Sequence, residues 1–142
     1  MIYIARHGET DYNKIGRLQG QRDIALNEVG RAQALELRER LKGLSFDEIY
    51  SSDLKRAFET ASIVANGKAV IQDPRLREIC LGSWEGKTYE YLRANDPRYE
   101  IFFNDPSTIT GADHEPYLDV IKRTDEFFAS LDISKNILVI TH

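Results

Sequence analysis

The sequence predicts a three-layer α/β fold, a mainly parallel sheet with helices on both faces. Two observations carry this. Short apolar runs alternate with segments of helical period, and the strands are far enough apart in the chain to need crossover helices rather than hairpins. A third observation sets the scale. At 142 residues the chain can bury one core with little to spare, so residues 1–142 are expected to form a single domain.

The elements follow in order. "MIYIA" opens the chain as a short strand. "NEVGRAQALELRERLKG" predicts a helix, with Asn27 as N-cap, Gly43 as C-terminal stop, and Val29, Ala32, Leu35 and Leu41 at roughly helical spacing. "FDEIYSS" is a second strand, and "DLKRAFETASIVANG" a second helix, capped by Ser52 or Asp53 and stopped by Gly67. "AVIQD" is a third strand, ended by Pro74. "KTYEYLRAN" reads as helical, and "DPRYEIFFNDPSTITGADHE" as irregular with one helical turn. "PYLDVIKRTDEFFASL" is a further helix with Pro116 at a favourable first position; its Tyr117, Ile121, Phe128 and Leu131 form a core stripe. "NILVIT" is a final, fully apolar strand. No repeat or low-complexity tract interrupts the pattern.

Bulk composition narrows the partners. A net charge of −4 favours neither nucleic acid nor an anionic membrane, so any bound anion must be held by a local cluster of cations. A single cysteine, Cys80, cannot form an internal disulfide, which fits a reducing compartment. No apolar run reaches spanning length, and the N-terminus lacks a signal peptide's pattern. The expected location is the cytoplasm, without membrane or nucleic-acid partners.

In parallel α/β sheets, ligands bind beyond the carboxyl ends of the strands. The first strand hands over to Arg6 and His7, and the second to Ser52 and, in the next helix's first turn, Arg56. The third is followed by "PRLRE" with Glu78, and the last ends in Thr141 and His142. Basic groups and one acid should therefore gather on a single rim. Such a set suits a phosphoryl group. Arginine's planar fork matches phosphate oxygens, and the start of the Asp53 helix adds free N–H groups. Gly8 fits a backbone that passes close to a ligand or turns sharply. A neutral imidazole can attack phosphorus, and Glu78 could protonate the leaving alkoxide. Glu9, Glu85 and Asp113 are rival acids. His114 reads as a loop residue and Trp84 as core or pocket wall.

Other chemistries lack their motifs. The chain has no "GxxxxGK[ST]" loop and no "GxSxG" elbow, and "CLGSWEG" lacks the arginine of a cysteine-dependent phosphatase loop. The three histidines show no close metal-ligand spacing.

"ARHGETDYN" with "GRLQG", then "SSDLKRAFETA", "LREICLGSWEG" and "VITH", together resemble the histidine phosphatase superfamily, which includes the phosphoglycerate mutases. The likeness spans nearly the whole chain and is nearest to the broad-specificity and alpha-ribazole phosphatase branch. It implies a phosphoglycerate mutase-like fold and a metal-independent phosphomonoester hydrolase acting on a phosphorylated small molecule. It further implies that His7 carries the phosphoryl group and that Arg6, Arg56 and His142 hold its oxygens, with Asn13 among them. Glu78 matches the general acid and base, while Gln19 and Gly20 border the substrate. No metal or other cofactor is expected. The family's "GES" segment appears here as "HEP", where Glu115 matches and its neighbours do not.

The resemblance also implies a glycine, a helix and a strand after the second histidine, whereas the sequence stops at His142. The expectation is a C-terminally truncated domain with weak activity or none, or a partner subunit (a homodimer) covering the gap. Two alternatives stand beside hydrolysis: mutase-type return of the phosphoryl group to substrate, and a non-catalytic module that binds a phosphorylated ligand.

Overall fold

The computed structural model describes residues 1–108 and 113–142. Among them, β1 (Ile2–Arg6), β2 (Glu48–Ser51), β3 (Ile71–Gln72) and β4 (Ile137–Thr141) form one sheet in the order β1-β4-β2-β3. All three pairings are parallel. The helices are α1 (Asp11–Lys14), α2 (Glu28–Arg40), α3 (Lys55–Ala65), α4 (Tyr89–Asn95), α5 (Arg98–Asn104) and α6 (Tyr117–Ala129).

Strand β4 explains its own composition. It lies between β1 and β2 and is covered on both faces, so "ILVI" is buried throughout. Leu138 and Ile140 pack against Ala57, Ala61 and Val64 of α3, with Leu37 and Leu41 from the α2 side. Ile137 and Val139 turn the other way, onto Phe127 of α6 and onto Leu131. This alternation gives three layers, α2 and α3 over the sheet over α6. A separate apolar cluster of Leu18, Leu81, Trp84, Leu92 and Tyr99 joins α4 and α5 to the loops after β1 and β3.

Several boundaries differ from the sequence reading for identifiable reasons. Helix α2 is capped by Asn27, whose side chain accepts from the Gly30 N–H, but it ends at Arg40, before Gly43. Its inward face is Gly30, Ala34 and Leu37, continued by Leu41, while Val29 and Leu35 are about half exposed. The small residues face inward because the β1 tip packs on them. A Cβ on Gly30 would lie 2.1 Å from the Glu9 carbonyl oxygen, and one on Gly8 only 2.4 Å from that of Gly30. Helix α3 begins after Leu54, with neither Ser52 nor Asp53 as its cap residue. Asp53 instead pairs with Arg77, and Asp23 accepts the Lys55 N–H at 2.7 Å. The helix stops at Asn66 and Gly67, both with positive φ (48° and 91°).

The segment read as irregular contains α5, started where the Asp96 carboxylate accepts the Arg98 N–H and held by the buried Tyr99. Residues 109–112 of that segment lie outside the described residues. In α6, Pro116 is the N-cap, and the expected stripe divides. Leu131 enters the core and Phe128 packs partly buried against it, whereas Tyr117 and Ile121 are 37% and 39% exposed; the fully buried ring is Phe127, outside the expected stripe. Among the described residues no helix is long and apolar enough to cross a membrane.

Candidate active site

The register of the sheet builds the site. Arg6 of β1 lies opposite Thr141 of β4, and the His7 N–H donates to the Thr141 carbonyl at 2.9 Å. His7 and His142 therefore leave adjacent strand tips side by side, with ring centroids 5.1 Å apart. On the other side of β4, the Ser52 N–H continues the ladder to Ile140, so Ser52 stands next to His142. Ser52 Oγ and His142 Nε2 are 2.9 Å apart. Arg56 sits in the first turn of α3 and points back toward His7.

His7 is buried, and its two ring nitrogens have different partners. Nδ1–H donates to the Gly8 carbonyl at 2.6 Å, and Nε2 accepts from Arg56 Nε at 3.3 Å. This pairing puts the proton on Nδ1 and turns the single Nε2 lone pair toward Arg56, itself a wall of the cup. Burial lowers the His7 pKa to about 4; the Gly8 carbonyl opposes that shift, while the charges of Arg56 and Arg6 add to it. Burial, then Arg56 and His7, lower that of His142 to about 2. Both rings are neutral at pH 7. Arg56 is itself 1% exposed, and burial lowers its pKa from the ordinary arginine value. Besides His7 it holds the Arg22 carbonyl at 2.8 Å and the Gly20 carbonyl at 2.7 Å. Three of the five guanidinium N–H groups are thus engaged, and two remain for a ligand. Arg6 is exposed, and its side chain makes no hydrogen bond or ion pair among the described residues.

A cavity of about 70 Å³ is bounded by Arg6, His7, Asn13, Gln19, Gly20, Arg56 and Glu78, with Arg17, Leu18, Leu81 and Tyr89. Its scale suits a small tetrahedral anion and not a whole metabolite. Seven of the eight predicted site residues line it; His142 does not, and its ring lies against that of His7. Asn13 Oδ1 takes the Thr10 N–H in the capping box of α1, leaving its amide nitrogen for the cavity. Gln19 Oε1 accepts from Thr10 Oγ1 at 2.7 Å. Gly20 has φ 53°, and a Cβ there would strike the Glu85 carboxylate at 2.1 Å.

The rival acids are separated by their partners. Glu85 accepts from the N–H groups of Gln21 and Leu81, Asp113 from that of Ser83, and Glu9 from Asn27 Nδ2. Glu78 is the carboxylate on the cavity wall among the described residues. Its carbonyl is held by Gln21 Nε2 (3.1 Å) and Arg123 (3.2 Å). Arg123 also grips Glu115 at 2.7 and 3.0 Å, and Glu115 accepts the Cys80 N–H. Burial pushes the Glu115 carboxyl up, but Arg123 and Cys80 outweigh it and hold the net value low. Glu115 thus braces the Glu78 loop and does not line the cavity.

Arg17, Tyr89 and Arg123 are not singled out by the sequence, since each is an ordinary surface-type residue whose position depends on loop packing; Glu115 is, but not its pairing with Arg123. Arg17 is held over the site where its Nη1 donates to the Gly86 carbonyl. His114 is in a loop, as expected, yet its ring is buried 4.7 Å from the Trp84 ring, with neither nitrogen hydrogen-bonded among the described residues. Trp84 is fully buried and donates to Asp96. The expected N–H groups at the start of α3 are partly taken by Asp23. A second cavity, of about 340 Å³ among Leu41, Phe46, Val64 and Lys68, lies away from all these groups.

Fold and cup together define a parallel α/β protein with a neutral histidine set among arginines at the carboxyl rim of its sheet. The chain belongs to the histidine phosphatase superfamily (branch 1), whose family model it matches over residues 2–142. It is 38% identical over 136 residues to the glucosyl-3-phosphoglycerate phosphatase of Mycobacterium tuberculosis, covering 94% of this chain and 61% of that protein. It is 48% identical over 93 residues to phosphoglycerate mutase-like protein 4 of Arabidopsis thaliana, covering 63% of this chain and 40% of that one. The chain thus spans about three-fifths or less of these curated relatives. Among solved structures, YhfR of Bacillus stearothermophilus superposes with a TM-score of 0.93 at 39% identity, over 99% of this chain and 73% of that one. The mycobacterial glucosyl-3-phosphoglycerate phosphatase solved with VO3 superposes with a TM-score of 0.85 at 35% identity, over 98% of this chain and 74% of that one. The matched relatives include phosphatases and probable phosphoglycerate mutases.

Proposed function

We propose that the chain carries the site of a phosphomonoester hydrolase working through a phosphohistidine on His7, without a metal. The observation that carries this reading is the Nε2 of His7, neutral at pH 7 and aimed into a cationic cup with one acid on its wall. In the first step Arg56 Nε–H gives up His7 Nε2 for a phosphoryl oxygen, and the freed Nε2 lone pair forms the N–P bond as the P–O bond to the alcohol breaks. Glu78 gives its proton to the departing oxygen. In the second, the Glu78 carboxylate takes a proton from water, whose oxygen attacks phosphorus as the N–P bond breaks, releasing inorganic phosphate. Arg6, Arg56 and His142, with the Asn13 amide, are assigned to the phosphoryl oxygens, where preorganised donors stabilise the charge that develops. Gln19 and Gly20 are assigned to the substrate's border, and the substrate class is a phosphorylated small molecule.

The test is turnover of a generic phosphomonoester with and without chelator, together with acid-labile labelling of the protein. Chelator-resistant turnover and labelling, both abolished in His7→Ala, support the proposal. Strong inhibition by chelator, or a His7→Ala variant as active as the parent, overturns it. The likeness to a phosphoglycerate mutase-like protein favours a second reading, in which the phosphoryl group returns to the substrate. Mutase chemistry isomerises a phosphoglycerate without releasing phosphate, and the same assay distinguishes the two.

A further inference from the structure

The cavity of about 340 Å³ lies at the end of the sheet opposite the cup, where α2 and α3 both stop. Leu41 and Leu44 follow α2, Asn66 and Lys68 follow α3, and Phe46 and Ile49 bring in the start of β2. The floor is apolar. Ile49 and Val64 belong to the buried core, Leu41 and Phe46 pack partly buried against it, and Leu44 is exposed beside them. The rim is cationic, with Arg38, Lys42 and Lys68 against one carboxylate, Glu39. That balance runs against a chain whose net charge is −4. The three cations are unequally occupied. Arg38 donates to Asn66 Oδ1 at 3.1 Å and lies 3.8 Å from Glu39. Lys42 meets Glu39 at 3.4 Å with both side chains well exposed. The Lys68 side chain makes no hydrogen bond or ion pair among the described residues. A basic residue in a helix's last turn answers the dipole, which accounts for Arg38. The dipole does not account for the apolar floor left open beneath the lysines.

We propose that this cavity is a second binding site, for an amphiphilic anion: a carboxylate carried on a single alkyl chain. The chain lies on the floor between Phe46 and Val64, and the head group stays at the rim with Lys42 and Lys68. The site does not depend on the hydrolase reading, because none of the residues that line the cup lines this cavity. Affinity comes from taking the alkyl chain out of water. Two exposed ammonium groups add little energy but select the sign of the head group. Lysine stems lie along apolar surface with their charge in water, so they cover a chain while holding its carboxylate. A sugar in the same place would set hydroxyls against the floor without partners. A compact anion such as phosphate finds no buried donor here, since the lysines are exposed and the helix ends present carbonyls. The size sits at the low end of ligand pockets, which run to roughly 300–1,000 Å³, and so fits one small amphiphile.

Octanoate and octylammonium carry the same chain with opposite heads, and calorimetric titration of each into the full chain tests the proposal. At low salt, octanoate should bind at least about fivefold more tightly than octylammonium. The preference should shrink as salt is added. Methyl resonances of Leu41, Ile49 and Val64 should shift with octanoate occupancy, which locates the chain on the floor. In the doubly substituted Lys42→Glu, Lys68→Glu chain, whose two positions are exposed, the preference should vanish or reverse while octylammonium binds no more weakly. Excess inorganic phosphate, a probe for the cup, should leave octanoate binding unchanged. No binding of octanoate, equal binding of the two compounds, an unchanged preference in the lysine variant, unmoved methyl resonances, or displacement by phosphate overturns the proposal. Octanoate binding here without hydrolysis of any phosphomonoester sinks the hydrolase reading and keeps this site. Hydrolysis without octanoate binding keeps the hydrolase and removes the site.

Discussion

Arg56 donates to His7 Nε2 across 3.3 Å while its two terminal nitrogens hold the carbonyls of Gly20 and Arg22. One buried cation thus ties the histidine to the loop that borders the cup. A lysine has a single nitrogen and cannot serve the ring and two diverging carbonyls together. Arg56→Lys should lower kcat/KM for p-nitrophenyl phosphate by roughly a hundredfold or more, the scale seen when a preorganised donor is removed. It should also lower the melting temperature, since buried carbonyls lose their donors. Steady-state kinetics and a thermal melt check both.

The acid limb of the pH profile should lie low. Burial first, opposed by the Gly8 carbonyl and aided by Arg56 and Arg6, takes His7 from 6.5 to about 4. The fall of kcat/KM on the acid side should therefore centre near pH 4 and not near 6.5. Stability follows the same groups. Between pH 6.5 and 4 the unfolded chain binds the proton that folded His7 refuses, so stability declines as pH falls through this window, at up to about 1.4 kcal/mol per pH unit. His142, lowered to about 2, extends the decline further down. Urea midpoints across pH should show a shallower slope in His7→Gln.

Glu78 is proposed to protonate the departing alkoxide, a service that a good leaving group does not need. Glu78→Gln should cost alkyl phosphates roughly 10²–10⁴-fold in kcat and p-nitrophenyl phosphate much less. An equal loss on both esters would remove Glu78 from the acid's role.

Arg123 reaches the same chemistry indirectly, since it holds both the Glu78 carbonyl and Glu115, whose carboxylate fixes the Cys80 N–H. It is a positioning residue. Arg123→Ala should reproduce a weaker form of the Glu78→Gln pattern, selective for poor leaving groups, with little change in the affinity for inorganic phosphate. A uniform loss across leaving groups would make its role merely structural.

Gly8 and Gly30 meet across the β1 tip and the first turn of α2 with no room for a methyl on either. Gly8→Ala and Gly30→Ala should each destabilise by about 1–3 kcal/mol, as overpacking does. Chemical denaturation of the single and double variants should show non-additive losses, because both substitutions force the same two segments apart.

The layers and the strand tips were legible because strand and helix periods are local and because parallel sheets bind ligands at one end. Hence Arg6, His7, Arg56, Glu78 and His142 could be read as one rim from the residue that follows each strand. What was not legible came from long-range packing. Val29 and Leu35 are apolar yet face outward, since α2 turns Gly30 and Ala34 inward to let the β1 tip approach. Asp53 resembles a helix cap until Arg77 takes its carboxylate. Tyr117 belongs to an apolar stripe, but the core ends before it and leaves it beside Glu78. Such outcomes depend on which loop arrives from elsewhere, and no local pattern records that.

The central place of β4 has a consequence for biogenesis. Ile2 pairs with Ile137, so β1 and its neighbour β4 are 135 positions apart in the order of synthesis. At about 5–20 residues per second, the emerging first strand waits roughly 7–27 s for its neighbour. During that interval β1 and β2 both present raw hydrogen-bonding edges, the kind that recruit other chains. The histidine pair comes together only when Arg6 pairs with Thr141, so the cup cannot assemble in a nascent chain before β4 has been made.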